Sequence, residues 1–309
     1  MALHPQCKAF LDQIAAGGGR PLHELSPAEA RANAMPPELA GPEQPVHHVE
    51  NRKVPGDGGL IPVRIYRPSG ASPLPALIYF HGGGFVLGGL DMVDRTCRAL
   101  ANGSGCIVIS VDYRLAPEHP FPAAADDAFA ATQFVAEHGA DFGVDPSLIA
   151  VGGDSAGGNL ATVVALRARD AGGPALAFQL LVYPLVDFTD HDSGSMRDYA
   201  EGHFLTTPIM DYFADHYLPP GVDRRQPWVS PLHGNLAGLP PAFVLTAECD
   251  PLRDQGEAYA RRLQDAGVTA TLKRYDGMFH PFFGLGGVID GAREAVADAA
   301  AALKTALTR

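Results

Sequence analysis

Two stretches hold the residue types that acyl-transfer chemistry asks for. In Gly153-Asp154-Ser155-Ala156-Gly157 a serine stands among small residues, after an apolar run (Leu148 to Val151) and before a helical pattern (Leu160 to Ala171). A bare G-x-S-x-G is easy to find among 35 glycines in 309 residues, but strand, sharp turn and helix together make it specific. That context predicts Ser155 Oγ lifted clear of a sheet and the Ala156 N–H at a helix start, where developing negative charge is stabilised. Upstream, the buried-strand pattern Leu77-Ile78-Tyr79-Phe80 runs into His81-Gly82-Gly83-Gly84-Phe85. Without side chains, backbone N–H groups there can approach an oxyanion closely, although an ordinary glycine turn has the same composition.

A serine hydroxyl is a weak nucleophile until a base takes its proton. Asp250 follows the strand pattern Ala242 to Ala247, and His280 follows the strand pattern Ala270 to Tyr275. Each has a plainer alternative. Asp250 would also cap the helix that Pro251 starts, and His280, between Phe279 and Phe282, would also fit a packed core. The chain order Ser155, Asp250, His280, each beyond a strand, differs from the orders of chymotrypsin-type and subtilisin-type enzymes. His81 sits at a strand end before the glycines and reads as shaping that loop. Gly17-Gly18-Gly19 has no strand before it and no Gly-Lys-Ser/Thr after it, so it reads as a turn.

These residues must be positioned by a sheet. Val46 to Val54 and Ile61 to Tyr66 alternate as strands around Gly56-Asp57-Gly58-Gly59, an antiparallel hairpin. Apolar strands then alternate with helices at Asp91 to Asn102, Ala123 to His138 and the segment after Ser155, which predicts a mostly parallel α/β sheet covered on both faces. The final helix is expected over Val288 to Leu307. Arg114 and Glu118, in a proline-spaced loop, read as structural anchors. Residues 188–230 lose the strand–helix rhythm and pair with residues 1–45 as a helical cap. In the latter, Phe10, Leu11 and Ile14 form an apolar stripe and Ser26-Pro27-Ala28-Glu29 a capped helix start.

Composition narrows the function class. Hydrophobic residues at 46% and charged ones at 19% suit a globular enzyme, and the net charge of -12 argues against nucleic acid and anionic membrane surfaces. Cys7, Cys97, Cys106 and Cys249 lack zinc-type spacing, so neither disulfides nor a metal are expected. The start lacks a basic region followed by an apolar one, and no apolar stretch approaches about 18 residues. The expected location is the reducing cytoplasm, without stable membrane association.

Taken together, His81 to Phe85, Asp112-Tyr113-Arg114-Leu115-Ala116-Pro117-Glu118, Gly153 to Gly158, Asp250-Pro251-Leu252-Arg253-Asp254 and His280 resemble the bacterial hormone-sensitive-lipase-like esterases of the α/β-hydrolase fold. The resemblance implies an eight-stranded, mainly parallel sheet in a core of residues 46–187 and 231–309, with a cap of 1–45 and 188–230. It implies a carboxylesterase with a Ser155–His280–Asp250 triad and an oxyanion hole of Gly83, Gly84 and Ala156. It also implies no metal or cofactor, and small short- to medium-chain ester substrates. Phe204, Tyr212 and Phe213 are candidate pocket walls, with simple cap packing as the alternative. An amidase or acyltransferase would use the same triad, and a ligand-binding receptor on an inactive hydrolase fold or an interfacial lipase are further alternatives. A homodimer remains open.

Overall fold

The computed structural model describes residues 2–33 and 35–308; positions 1 and 34 of the expected cap lie outside them. Helices α1 (Pro5–Ala16) and α2 (Pro27–Ala32) lead into a hairpin of β1 (His48–Gly56) and β2 (Gly59–Arg67), with Gly56 opposite Gly59 as the spacing predicts. The chain continues through β3 (Leu74–Phe80), α3 (Asp94–Ser104), β4 (Ile107–Val111), α4 (Ala123–Glu137), the short α5 (Gly139–Phe142) and β5 (Val144–Asp154). Then come α6 (Ala156–Asp170), β6 (Phe178–Val182), α7 (Gly194–Asp198) and α8 (Thr207–Tyr217). β7 (Ala242–Cys249), α9 (Arg253–Asp265), β8 (Ala270–Phe279) and α10 (Asp290–Ala306) complete it.

All eight strands form one sheet in the order β1-β2-β4-β3-β5-β6-β7-β8. Only β1 with β2 and β2 with β4 pair antiparallel; the rest run parallel. Every residue of β4, β6 and β7 is buried, as expected of strands with a helical layer on each side. Ala128, Ala131, Leu160, Val164 and Leu263 from α4, α6 and α9 fill one core layer. Leu100 of α3 and Ala295, Ala299 and Leu303 of α10 fill the other, joined by Cys7 and Phe10 of α1. All four cysteines are free and buried.

Some boundaries differ from the sequence expectation, for local reasons. β5 already begins at Val144, because Val144 pairs with Leu74 before a register shift in β3. α3 starts at Asp94 rather than Asp91, and Arg64 Nη1 bonds both carboxylates (2.8 Å to Asp91, 3.1 Å to Asp94) across that start. α10 starts at Asp290 rather than Val288, whose N–H closes a turn onto the Leu285 carbonyl. The stripe on α1 keeps Phe10 and half-buried Leu11 but loses Ile14, which is 45% exposed.

The capping box is formed: Glu29 N–H donates to Ser26 Oγ (3.3 Å) and Ser26 N–H to Glu29 Oε2 (2.8 Å). Arg114 and Glu118 are anchors, and both reach out of their own loop. Glu118 accepts two bonds from Arg31 of α2 (2.7 Å each). Arg114 donates from Nε and Nη2 to Asp127 of α4 (2.8 Å each), which is 1% exposed. Removing that carboxylate strands a half-buried guanidinium. Asp127→Ala should therefore cost about 2 kcal/mol, read as a fall of roughly 3 °C in thermal midpoint for a chain of this size.

Candidate active site

Strands β3, β5, β6, β7 and β8 run parallel, so their C-terminal ends share one edge of the sheet. Open α/β sheets bind ligands at that edge. The glycine loop follows β3, Ser155 follows β5, Asp250 follows β7 and His280 follows β8. Four chain-distant segments thus share this edge of the sheet.

Ser155 occupies the bend between β5 and α6 at φ 57°, ψ −118°, a conformation that costs a non-glycine residue about 1–3 kcal/mol. Its N–H donates to Val182 O (2.9 Å), and its carbonyl accepts from Asn159 (3.0 Å) and Leu185 (3.2 Å). The glycines beside it are a matter of space. A Cβ on Gly153 would overlap the Phe80 carbonyl, and one on Gly157 would overlap the Phe80 carbonyl and crowd that of His81 (2.6 Å). A Cβ on Gly158 would meet Pro184 at 2.9 Å. The serine turn therefore lies directly on the strand that carries the glycine loop. Ala156 opens α6 and is fully buried.

In that loop Gly83 and Gly84 have φ of +108° and +61°. Gly83 O accepts from Val86 N–H (3.1 Å) and Leu87 N–H (2.8 Å), and a Cβ on Gly83 would overlap the Leu87 carbonyl. The Phe213 ring of α8 lies against Gly84, where it would overlap any added Cβ. His81 supports the loop as expected. Its Nδ1–H donates to Gly82 O (2.7 Å), while Tyr113 stacks on its ring (4.3 Å) and donates its hydroxyl to His81 O (2.7 Å). Burial pushes the His81 imidazole down to about 4, so it is neutral at physiological pH.

Asp250 is fully buried and does two jobs at once. Its Oδ1 accepts Leu252 N–H (2.8 Å) in the turn before α9, and its Oδ2 pairs with His280 Nδ1 at 2.9 Å. That bond makes Nδ1 the protonated nitrogen and leaves Nε2 with a free lone pair. His280 is 6% exposed, and Tyr183, which follows β6, packs its ring 4.4 Å away. Since Val182, one residue earlier, holds Ser155 N–H, β6 links the serine turn to the imidazole.

The sequence reading missed several supporting side chains. Glu248, the one carboxylate in the apolar run of β7, is 3% exposed and accepts Gly277 N–H (2.7 Å). It sits in a register shift between Ala247 and Cys249 and ties β7 to the segment carrying His280. A lone buried acid in an apolar strand was the available signal. Arg31 of α2 donates to Val86 O and Ala116 O (2.8 Å each) as well as to Glu118, fastening the segment after the glycines. On the other side Tyr217 of α8 stacks flat on Phe85 (3.8 Å, 4°). No pattern foretold either contact. Of the three candidate wall residues, Phe213 faces Gly84. Phe204 packs 6.4 Å from Phe279, next to His280, while Tyr212 is buried between Phe213 and His216. Among the described residues no cluster of His, Cys, Asp and Glu is arranged to hold a metal, and no helix is long and apolar enough to cross a membrane.

An eight-stranded sheet of this order, with a serine turn after β5 and an Asp–His pair after β7 and β8, defines an α/β hydrolase. A family model described as the alpha/beta hydrolase fold matches residues 77–284. The chain is 46% identical to carboxylesterase NlhH of Mycobacterium tuberculosis over 92% of its own length and 89% of that protein's. It is 39% identical to an ethyl acetate hydrolase of Pseudomonas putida over 95% and 96% of the two chains. A hyperthermophilic esterase from Pyrobaculum calidifontis superposes with a TM-score of 0.93 at 43% identity, covering 99% of each chain. The chain belongs to the bacterial hormone-sensitive-lipase-like carboxylesterase family of the α/β-hydrolase fold.

His81 gives the site a pH signature independent of turnover. Its folded-state pKa lies below the ordinary imidazole value of about 6.5, so the unfolded chain binds the proton more readily. Stability falls as pH drops from about 6.5 and the loss levels off near the folded value of about 4. Thermal midpoints between those limits should fall less steeply in His81→Asn than in the parent.

Proposed function

We propose that the chain is a carboxylesterase that hydrolyses short- to medium-chain esters of small molecules through a Ser155–His280–Asp250 triad. The observation that carries this reading is the 2.9 Å pairing of buried Asp250 with His280 Nδ1, on the same sheet edge as the strained serine turn. Asp250 fixes the tautomer that presents Nε2 as a base and stabilises the imidazolium formed when Ser155 Oγ gives up its proton. The oxygen attacks the ester carbonyl. The N–H groups of Gly83, Gly84 and Ala156 receive the oxyanion, and each such donor is worth about 10²–10³ in kcat. Imidazolium then protonates the departing alcohol, leaving an acyl-enzyme. Water, deprotonated by His280, releases the acid and restores the serine.

Residues 1–45 and 188–230 act as the cap. Phe213 and Phe204 form apolar walls for the substrate, with Tyr212 packed behind Phe213. The position of Phe213 against Gly84 supports a short acyl pocket, because its ring takes up room beside the proposed oxyanion hole. The names of the relatives agree with small esters as substrates, the Pseudomonas putida protein being an ethyl acetate hydrolase.

Ser155→Ala should lower kcat on p-nitrophenyl acetate by roughly 10⁴ or more while circular dichroism and thermal midpoint hold; a near-parental rate refutes the mechanism. Phe213→Ala should shift the kcat/KM optimum toward longer acyl chains in a series from acetate to decanoate. An unchanged optimum removes Phe213 from the acyl pocket.

A further inference from the structure

Asp154, inside the serine motif, plays no part in the triad, yet its carboxylate spans two elements that must stay in register. Oδ1 accepts Tyr79 OH (2.8 Å) from β3 and Gly82 N–H (3.1 Å) from the glycine loop. The carboxylate also lies against Gly82 so closely that a Cβ there would overlap Oδ2. Gly82 immediately precedes the two proposed oxyanion donors, so fixing its peptide fixes the direction from which their N–H groups point. Asp154 also pairs with Val182 across β5 and β6, one residue before Tyr183, whose ring packs 4.4 Å from His280, so the carboxylate's charge lies on the same side of the sheet edge as that imidazole. The titratable groups around that imidazole are then Asp250 at the end of β7, Asp154 at the end of β5 and Tyr183 at the end of β6.

We propose that Asp154 is a positioning residue that locks the glycine loop to the serine turn and sets a second negative charge beside His280. This rests on the triad reading and extends it: one side chain, adjacent in sequence to the nucleophile, couples the proposed oxyanion hole to the base. Burial pushes the Asp154 pKa up, opposed by Tyr79, His280 and the Gly82 N–H. Those partners offset only part of the solvation that burial removes. Of the two roles, the hydrogen bonds set geometry and the charge favours imidazolium, and a pair of substitutions separates them.

Asp154→Asn keeps an acceptor oxygen for both donors and removes the charge. Asp154→Ala removes both. The measurements are kcat and KM on p-nitrophenyl acetate, and the protonation midpoint of His280 followed directly by NMR. The alanine variant should lose about 10²-fold in kcat with KM within roughly twofold, the pattern of an interaction made in the transition state. The asparagine variant should recover most of that loss, to within about tenfold of the parent. Its His280 midpoint should move to lower pH by about half a pH unit, because a neighbouring anion no longer favours the charged ring. If alanine does not fold, Tyr79→Phe takes its place, removing one of the two donors to Oδ1 and lowering kcat severalfold at constant KM.

Equal kcat in the asparagine variant and the geometry-breaking variant, with an unmoved His280 midpoint, overturns the proposal and leaves Asp154 a packing residue. The NMR midpoint does not depend on turnover. A failed triad (Ser155→Ala fully active) is therefore distinguishable from a failed Asp154 role.

Discussion

The site depends on one contact that involves no side chain. The carbonyls of Phe80 and His81, at the end of β3, press against Gly153 and Gly157 on either side of Ser155. Any Cβ at either glycine would push the serine turn off the strand. With both bare, the end of β3 and the start of α6 form one rigid unit, and the strained Ser155 backbone is held by three main-chain hydrogen bonds. Ser155 and the proposed oxyanion donors thereby share a foundation. Their relative placement follows from backbone packing and does not rely on mobile side chains.

A loop built from glycines has little stiffness of its own, since glycine has the most backbone freedom to lose. Here the stiffness comes from neighbours on every side. His81 and Tyr113 brace it from below, and Asp154 ties it to the serine turn. Arg31 binds the carbonyls behind it, and Phe213 and the Tyr217–Phe85 stack cover it from α8. An aromatic stack of this kind adds about 0.5–1.5 kcal/mol beyond the area it buries. Helices α2 and α8 are thus bonded to the loop that the proposed mechanism uses.

Much of this was legible in the sequence, because it is written in residue types whose purpose is local. Gly153, Ser155 and Gly157 announce a strand–turn–helix bend, alternating apolar runs announce the sheet, and Ser26-Pro27-Ala28-Glu29 announces its own capping box. Strand ends were less legible: β5 is extended to Val144 by pairing with Leu74, which no local pattern contains. Contacts between distant segments left no trace at all. Arg31 reads as one more surface arginine on a short helix, and Glu248 as a polar interruption of a strand. Only the folded chain brings the first to Val86 and the second to Gly277. Asp250 caps no helix, because α9 starts only at Arg253 with Leu252 before it; its two oxygens instead serve a turn and an imidazole separately.

The placement of α1 carries a consequence for how the molecule is made. His4 N–H bonds the Gly277 carbonyl, Cys7 Sγ touches Met278 Sδ at 3.7 Å, Phe10 packs on Phe279, and Asp290 N–H bonds Gln6 Oε1. A ribosome therefore releases this helix long before its docking surface has been synthesised. During that interval Cys7 and Phe10 wait in solvent, and their eventual partner strand lies at the sheet's far edge. Assembly closes like a clasp, with an early segment seated among the last ones, so the growing polypeptide spends most of its translation exposed to aggregation and to chaperone capture.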